Sequence, residues 1–247
     1  MTEILVKRMD DILVVSFNRP EKMNAITRSM YGELNRQFQE AAGDFRIRVL
    51  VIHGEGGHFT AGNDILEFAH SAHVEGESAA FEFIVELHNF PKPIVAIVQG
   101  NVIGIGATLL LHCDLVVASP EATFALPFVS LGLVPEAGSS YLLPALVGYQ
   151  RAAEILLLGE SFTAIEAKEM GLVGSIKEDA LAEGLRLAKA LALQPPAAVI
   201  NTKALLKSRT HGPLTSVIEA ENELFTLAVQ SDEAQQAFAR FISKRIS

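Results

Sequence analysis

Cysteine is almost missing from this 247-residue chain, Cys113 being the single one. One thiol excludes an intrachain disulfide and any cysteine-based metal framework. Its apolar setting, Leu110-Leu111-His112-Cys113-Asp114, reads as a buried core thiol rather than a reactive one. No apolar run approaches the roughly 20 residues of a membrane span. Glu3 and Asp10 interrupt the N-terminal stretch that a signal peptide would need, and the final Arg245-Ile246-Ser247 is not a peroxisomal address. Positive charge is also scarce: 20 Lys and Arg stand against 29 Asp and Glu, a net charge of −9. A phosphate-neutralising basic face is therefore not expected, which argues against nucleic acid as the main partner. A local lysine cluster or a helix N-terminus can still bind a phosphorylated ligand in an acidic protein. The expectation is a soluble, cytoplasmic protein with neither a membrane nor a nucleic-acid partner.

Several catalytic signatures are missing too. The seven histidines (His53, His58, His70, His73, His88, His112 and His211) show no metal-ligand spacing such as H-E-x-x-H. Gly138-Ser139-Ser140 fails the G-x-S-x-G nucleophile elbow. Gly104-Ile105-Gly106 begins like a dinucleotide fingerprint but lacks the third glycine. No metal or redox cofactor is expected.

What is present is a chain that can bury one full core, with 49% hydrophobic and 20% charged residues. Ile4–Arg8 and Ile12–Phe17 read as a hairpin around Asp10-Asp11. Thr27 to Ala42 repeats apolar residues near a helical period, and Ile47–Ile52 and Ile94–Val98 are Val/Ile runs of the kind that strands covered on both faces carry. A helix is expected from Glu75 to Asn89, another over Ala107–His112, and short strands at Leu115–Ala118, Thr123–Leu126 and Leu172–Ile176. Thr163-Ala164-Ile165-Glu166 is a capping box. Strands alternate with loops and helices, which implies an α/β core over residues 1–194. Beyond Pro195-Pro196, residues 195–247 are all helical. That tail suits packing against a partner subunit, or closing the protein's own core.

Three segments can carry chemistry. In His58-Phe59-Thr60-Ala61-Gly62-Asn63-Asp64-Ile65, small residues precede a helix start, so free backbone amides can hold a carbonyl oxygen that gains charge. On local grounds a plain loop with Asp64 as helix N-cap is the simpler reading. Gly100-Asn101-Val102-Ile103-Gly104-Ile105-Gly106 follows a buried-looking strand and opens an apolar helix, and tight turning alone accounts for its glycines. In Leu133-Val134-Pro135-Glu136-Ala137-Gly138-Ser139-Ser140-Tyr141, Glu136 is a carboxylate in apolar company. Such surroundings raise a carboxyl pKa toward the range useful for proton transfer. The alternative is a glutamate in a helix's first turn, stabilised by the helix dipole behind Pro135.

Together these segments resemble the crotonase (enoyl-CoA hydratase/isomerase) superfamily over almost the whole chain. The landmarks are Asn18-Arg19-Pro20-Glu21-Lys22-Met23-Asn24-Ala25, Phe59-Thr60-Ala61-Gly62-Asn63-Asp64, Gly100 through Gly106 with Cys113-Asp114, Thr123-Phe124, Gly132-Leu133-Val134-Pro135, Ala164-Ile165-Glu166-Ala167 and Gly171-Leu172-Val173. The resemblance implies a spiral of ββα units with a helical C-terminal region, assembled as a homotrimer or a dimer of trimers. It implies a coenzyme A thioester as substrate, its carbonyl held by the backbone amides of Asn63 and Ile105. Hydratases of the family use two glutamates; by position these fall on Thr108 and Phe128, so both are absent. Glu136 occupies a third position, as in monofunctional Δ3,Δ2-enoyl-CoA isomerases of the peroxisomal type. The implied catalyst is thus a single glutamate that shuttles a proton. Gly104 belongs to the amide loop, Phe128 keeps the pocket dry, and Ile65, Leu66 and Phe68 line the acyl path. Asn24, Ala25, Ala61, Asp64 and Ile65 are expected near the coenzyme A, and Lys22 can offset phosphate charge. Competing expectations are a 2-enoyl-CoA hydratase working with Glu136 alone, another acyl-CoA reaction of the superfamily, and a non-catalytic acyl-CoA binder.

Overall fold

The computed structural model describes residues 2–67 and 78–246, with the side chains of residues 244–246 left aside. Strands β1 (Ile4–Met9) and β2 (Ile12–Phe17) form the expected antiparallel hairpin, Met9 opposite Ile12. Three further strands then add in parallel: β3 (Val49–Gly54), β4 (Ile94–Val98) and, beyond it, β6 (Leu115–Ala118). Strand β9 (Ser175–Ile176) completes the sheet, in the order β1-β2-β3-β4-β6-β9. A second sheet stacks β5 (Asn101–Ile103), β7 (Thr123–Ala125) and β8 (Phe162–Thr163). The chain thus visits the large sheet and the small one in alternation, β4 to β5 and β6 to β7, with helices returning it. This is a mixed α/β spiral.

Every residue of β4 is buried, which explains its unbroken Ile/Val character. One face of the large sheet meets the main core, including Phe17, Phe38, Phe59, Phe83 and Phe124. The other face, with Val49, Val51, Val95 and Val117, is covered by helix α7 (Ala180–Ala192) through Ala180, Ala188 and Ala192. Helix α1 (Arg28–Gly43) starts at Thr27, whose hydroxyl accepts from the Met30 N–H at 3.3 Å. Met30, Tyr31, Leu34, Phe38 and Ala41 form its buried stripe. Helix α2 (Ala79–Asn89) is capped by Ser78 and stopped before Pro91 and Pro93; the expected start at Glu75 lies outside the described residues. Helix α6 (Ala164–Glu169) shows the expected capping box between Thr163 and Glu166.

Three details depart from expectation. The glycine segment expected to be all loop contains β5, because Asn101–Ile103 pairs with the distant β7. The helix expected at Ala107 begins two residues earlier, as α3 (Ile105–Thr108), and tightens into a 3₁₀ turn at Leu109–His112. The strand expected over Leu172–Ile176 shrinks to β9, since only Ser175 and Ile176 lie in register with β6, opposite Val117 and Ala118.

Helices α4 (Ser139–Val147) and α5 (Tyr149–Leu158) follow the Glu136 segment. The tail forms α8 (Pro196–Lys207), α9 (His211–Val229) and α10 (Asp232–Ile246). It closes the protein's own core: Leu214, Ile218, Phe225, Val229, Ala234 and Phe238 all join the main apolar cluster. Lys203 on α8 donates to Asp114 Oδ2 and to Lys92 O, both at 2.7 Å. Among the described residues, no helix is long and apolar enough to cross a membrane.

Candidate active site

The two glycine segments meet side by side. Thr60 donates its N–H to Asn101 O and accepts from Ile103 N–H, each at 3.0 Å, and pairs with Val102. A Cβ on Gly62 would stand 3.0 Å from Ile103 O, so the two backbones nearly touch there. Gly104 has φ 57° and ψ −121°, a conformation that side-chain-bearing residues rarely adopt. This torsion turns the chain from β5 into α3, placing the Ile105 N–H at the free first turn of that helix. Neither the Asn63 nor the Ile105 N–H has a hydrogen-bond partner among the described residues. Asn63 itself is fixed on both sides: Gly62 O accepts from Ile26 N–H at 2.8 Å, and Asp64 N–H donates to Ile26 O at 2.9 Å. Two backbone amides are therefore left free while the residues on either side of them are held by backbone bonds.

Glu136 stands ahead of α4, not in its first turn as one reading expected. The reason is the backbone that follows: Ala137 (φ 60°) and Gly138 (φ 69°) are both left-handed, so the helix cannot start until Ser139. The side chain is 6% exposed, and its Oε1 has no hydrogen-bond partner among the described residues. Burial, and secondarily the nearby Glu221 carboxylate, pushes its pKa up to about 8.

A residue not singled out in the sequence joins the two halves. Tyr31 on α1 is buried and donates its hydroxyl to Asn63 Oδ1 at 2.5 Å. Burial first, and then the charge of Glu136, push its phenol pKa well above the usual value. Tyr31 thus touches the residue carrying one free amide while lying within the field of the carboxylate. The only sequence signal was its place beside Met30 on the apolar stripe of α1, a place that a core tyrosine also explains.

The remaining expected residues are distributed as follows. Thr108 is fully buried and directs its hydroxyl to Ile105 O at 3.4 Å; Phe128 is 4% exposed. Ala25 is buried, Ala61 and Ile65 are half-buried, and Leu66 is exposed. Phe68 lies outside the described residues. Asn24 is completely buried: it accepts from Arg19 N–H at 2.7 Å and donates to Glu55 O and His58 O at 2.8 Å. Asp64 pairs with Arg19 at 2.6 Å and accepts from Leu66 N–H at 3.0 Å, the bond of a helix N-cap. Burial opposes its charge, yet those partners hold its carboxyl below the usual range. Both side chains are engaged in shaping the loop rather than free to meet a ligand. Cys113 is half-buried rather than the buried core thiol expected; its Sγ donates to Leu109 O at 3.4 Å, and burial pushes the thiol up to about 12.

Comparison with known proteins places this geometry in context. The family model described as enoyl-CoA hydratase/isomerase matches residues 7–247. The chain belongs to that family, the crotonase superfamily, whose members are acyl-CoA enzymes. It is 34% identical to the 2,3-dehydroadipyl-CoA hydratase of Escherichia coli, over 99% of this chain and 97% of that protein. Human enoyl-CoA delta isomerase 2 is 35% identical over 98% of this chain, which spans 64% of that longer protein. The solved structure of Pseudomonas aeruginosa OdaA superposes with a TM-score of 0.95 at 38% identity, covering 98% of this chain and 99% of the other. Enoyl-CoA hydratase/isomerase chemistry is the activity that the family defines.

Proposed function

We propose that this chain is a Δ3,Δ2-enoyl-CoA isomerase in which Glu136 moves one proton. The observation that carries this reading is the state of the Glu136 carboxylate. Among the described residues it is buried without a hydrogen-bond partner on Oε1, while the positions that resemble the hydratase acids hold Thr108 and Phe128. Hydration needs groups that both position a water and deprotonate it. Moving a double bond needs one base that becomes the acid.

The thioester oxygen accepts from the Asn63 and Ile105 N–H groups, which makes the C2 protons of a 3-enoyl thioester acidic. Glu136 removes one of them, and the electron pair delocalises into a dienolate on that oxygen. One such donor lowers the barrier by about 3 kcal/mol. The protonated Glu136 then gives its proton to C4 while the double bond settles between C2 and C3. No water is consumed. Buried, hydrophobic surroundings, with Phe128 among them, keep the carboxyl pKa high enough for both roles. Ala25, Ala61, Gly104, Ile65 and Leu66 are assigned to the coenzyme A and acyl path; Asn24 and Asp64 act by shaping the loop beside it.

A second reading, a hydratase working with Glu136 alone, draws support from the similarity to the 2,3-dehydroadipyl-CoA hydratase. Offering 3-hexenoyl-CoA and crotonyl-CoA to wild type and Glu136→Gln separates the two. Isomerisation by wild type should fall by about 10²–10⁴-fold in the variant. Rapid hydration of crotonyl-CoA with no turnover of the 3-enoyl substrate would replace the isomerase assignment by the hydratase one. Binding of both thioesters without turnover of either would leave only an acyl-CoA binder.

A further inference from the structure

The turn that carries Glu136 is built from strained backbone, so something must hold it. Ala137 is a non-glycine residue at φ 60°. Its carbonyl accepts from His112 Nε2–H at 2.7 Å, from the 3₁₀ turn behind it. On the other side, Glu221 of α9 accepts from Gly138 N–H at 2.6 Å and from Ser140 N–H at 2.9 Å. These are free amides at the start of α4, where a carboxylate also gains from the helix dipole. Glu221 is 7% exposed and lies on the apolar side of α9, between Ile218 and Phe225. A buried charge at such a place is costly unless it is bonded, and both of its oxygens are.

We infer that Glu221 is a positioning residue for Glu136. From a helix 83 residues downstream of Gly138, it clamps the left-handed turn that sets where the Glu136 carboxylate sits. When ionised, it also adds to burial in holding the proton on Glu136 in the free protein. The asymmetry between the two acids decides which one is charged. Burial raises both carboxyls, but Glu221 accepts two backbone N–H bonds that pull it back toward its ionised form, whereas among the described residues no hydrogen bond stabilises an ionised Glu136 at Oε1.

The other titratable groups around the turn do not compete for this role. Tyr31, facing Glu136 from α1, stays neutral because burial and Glu136 itself raise its phenol. His112 stays neutral because burial pushes it down to about 3. Lys207 of α8 lies behind it, donating to His112 O at 3.4 Å, and is pushed down to about 8 chiefly by burial. Among the described residues, Glu221 is thus the negative charge set against Glu136.

The inference depends on the isomerase reading for its turnover assay only, so it is tested in two ways. In turnover of 3-hexenoyl-CoA, Glu221→Gln should lower kcat by about tenfold or more with KM within about twofold. The midpoint of the rising limb of its pH profile should move down by about one unit. In protein labelled with ¹³C at the glutamate carboxyls, the Glu136 resonance, assigned by its loss in Glu136→Gln, should show the same downward shift without any substrate. That second measurement stands even if the 3-enoyl substrate is not turned over. A Glu136 titration left unmoved by Glu221→Gln overturns the inference. If Glu221→Gln does not fold, Glu221→Asp decides. It keeps the charge but shortens the clamp, so kcat should drop while the Glu136 titration stays in place. An unchanged kcat in Glu221→Asp overturns the positioning role.

Discussion

The segment from Thr60 to Gly106 and the turn from Pro135 to Ser140 each carry half of the site, and they are held in different ways. In the first, most of the bonds run from backbone to backbone. Phe59 N–H reaches Gln99 O at 2.8 Å, Gly104 N–H reaches Ala125 O at 2.9 Å, and Asn63 is gripped through Gly62 and Asp64 by Ile26. In the second, the backbone is held by side chains from elsewhere: His112 on Ala137, Glu221 on Gly138 and Ser140, and Leu214 packed against Gly138. The donors of an oxyanion site must not move as charge develops, and a backbone frame gives them that rigidity. The carboxylate must swing a proton between two carbons. Side-chain supports suit it, because their charge sets its pKa as well as its place. The two halves should therefore fail differently: the amide half when its torsions change, the carboxylate half when distant side chains change.

The largest effect is expected from Gly104→Ala. A Cβ there meets no heavy atom of the described residues within 4 Å, so the penalty is torsional, from φ 57°. The strain is about 1–3 kcal/mol, and relieving it rotates the peptide that presents the Ile105 N–H. Turnover should fall by about 10²–10³-fold, the loss typical of one misplaced oxyanion donor. Ile105→Val alters only the side chain and should keep kcat within about threefold while costing about 1 kcal/mol of stability. Steady-state kinetics and urea melts of the two variants check this. Equal losses of activity in both would mean that the amide half is held by side-chain packing after all.

The next effect concerns the carboxylate half and stability rather than rate. The folded carboxyl of Glu136 sits at about 8 against an ordinary 4.5, so the folded protein keeps a proton that the unfolded chain releases. Its contribution to stability is fully present below the unfolded value and is lost as pH rises through about 8. Glutamine does not titrate. Glu136→Gln should thus melt close to wild type at pH 5 and several degrees above it at pH 9, a difference on the order of 3–4 kcal/mol at most. Parallel melting curves at the two pH values would mean that Glu136 is solvated in the folded state. The same titration makes kcat/KM rise with pH toward about 8, since only the ionised carboxylate removes the C2 proton.

Much of the amide half was legible in the sequence because its causes are local. Val/Ile runs marked β3 and β4, Thr27 and Thr163 marked helix starts, and glycines marked the places where backbone approaches backbone. Strand β5 escaped notice because three residues carry no periodicity and its partner, β7, is formed about twenty residues on. The carboxylate half was legible only in Glu136 itself. Pro135 suggested a helix start, but the left-handed pair Ala137-Gly138 delays it, and alanine gives no warning of a positive φ. Glu221 did leave one trace: it occupies the apolar stripe of α9 set by Leu214, Ile218, Phe225 and Val229. A glutamate on such a stripe signals a buried partner. What it partners, two amides 81 and 83 residues upstream, is settled only by tertiary packing.

The smallest effect falls on the contact that blurs the comparison, the bond from Tyr31 to Asn63 Oδ1. It is a side-chain support, beside those of Thr60, Asn24 and Asp64, inside the half held mainly by backbone, and it runs from α1, the helix whose tyrosine also feels Glu136. Tyr31→Phe removes the hydroxyl and little volume, leaving Asn63 Oδ1 without this partner at a cost of about 1 kcal/mol. Because Ile26 still grips the Asn63 peptide from both sides, its N–H should shift only slightly. Turnover should then drop by about threefold to tenfold, with the pH midpoint of the rising limb unmoved, since the lost phenol was neutral. A loss as deep as that of Gly104→Ala would make Tyr31 a principal support of the oxyanion donors, and the division between backbone-held and side-chain-held halves would no longer stand. An unmoved kcat would show that the backbone grip alone suffices for the amide, and the division would then be complete.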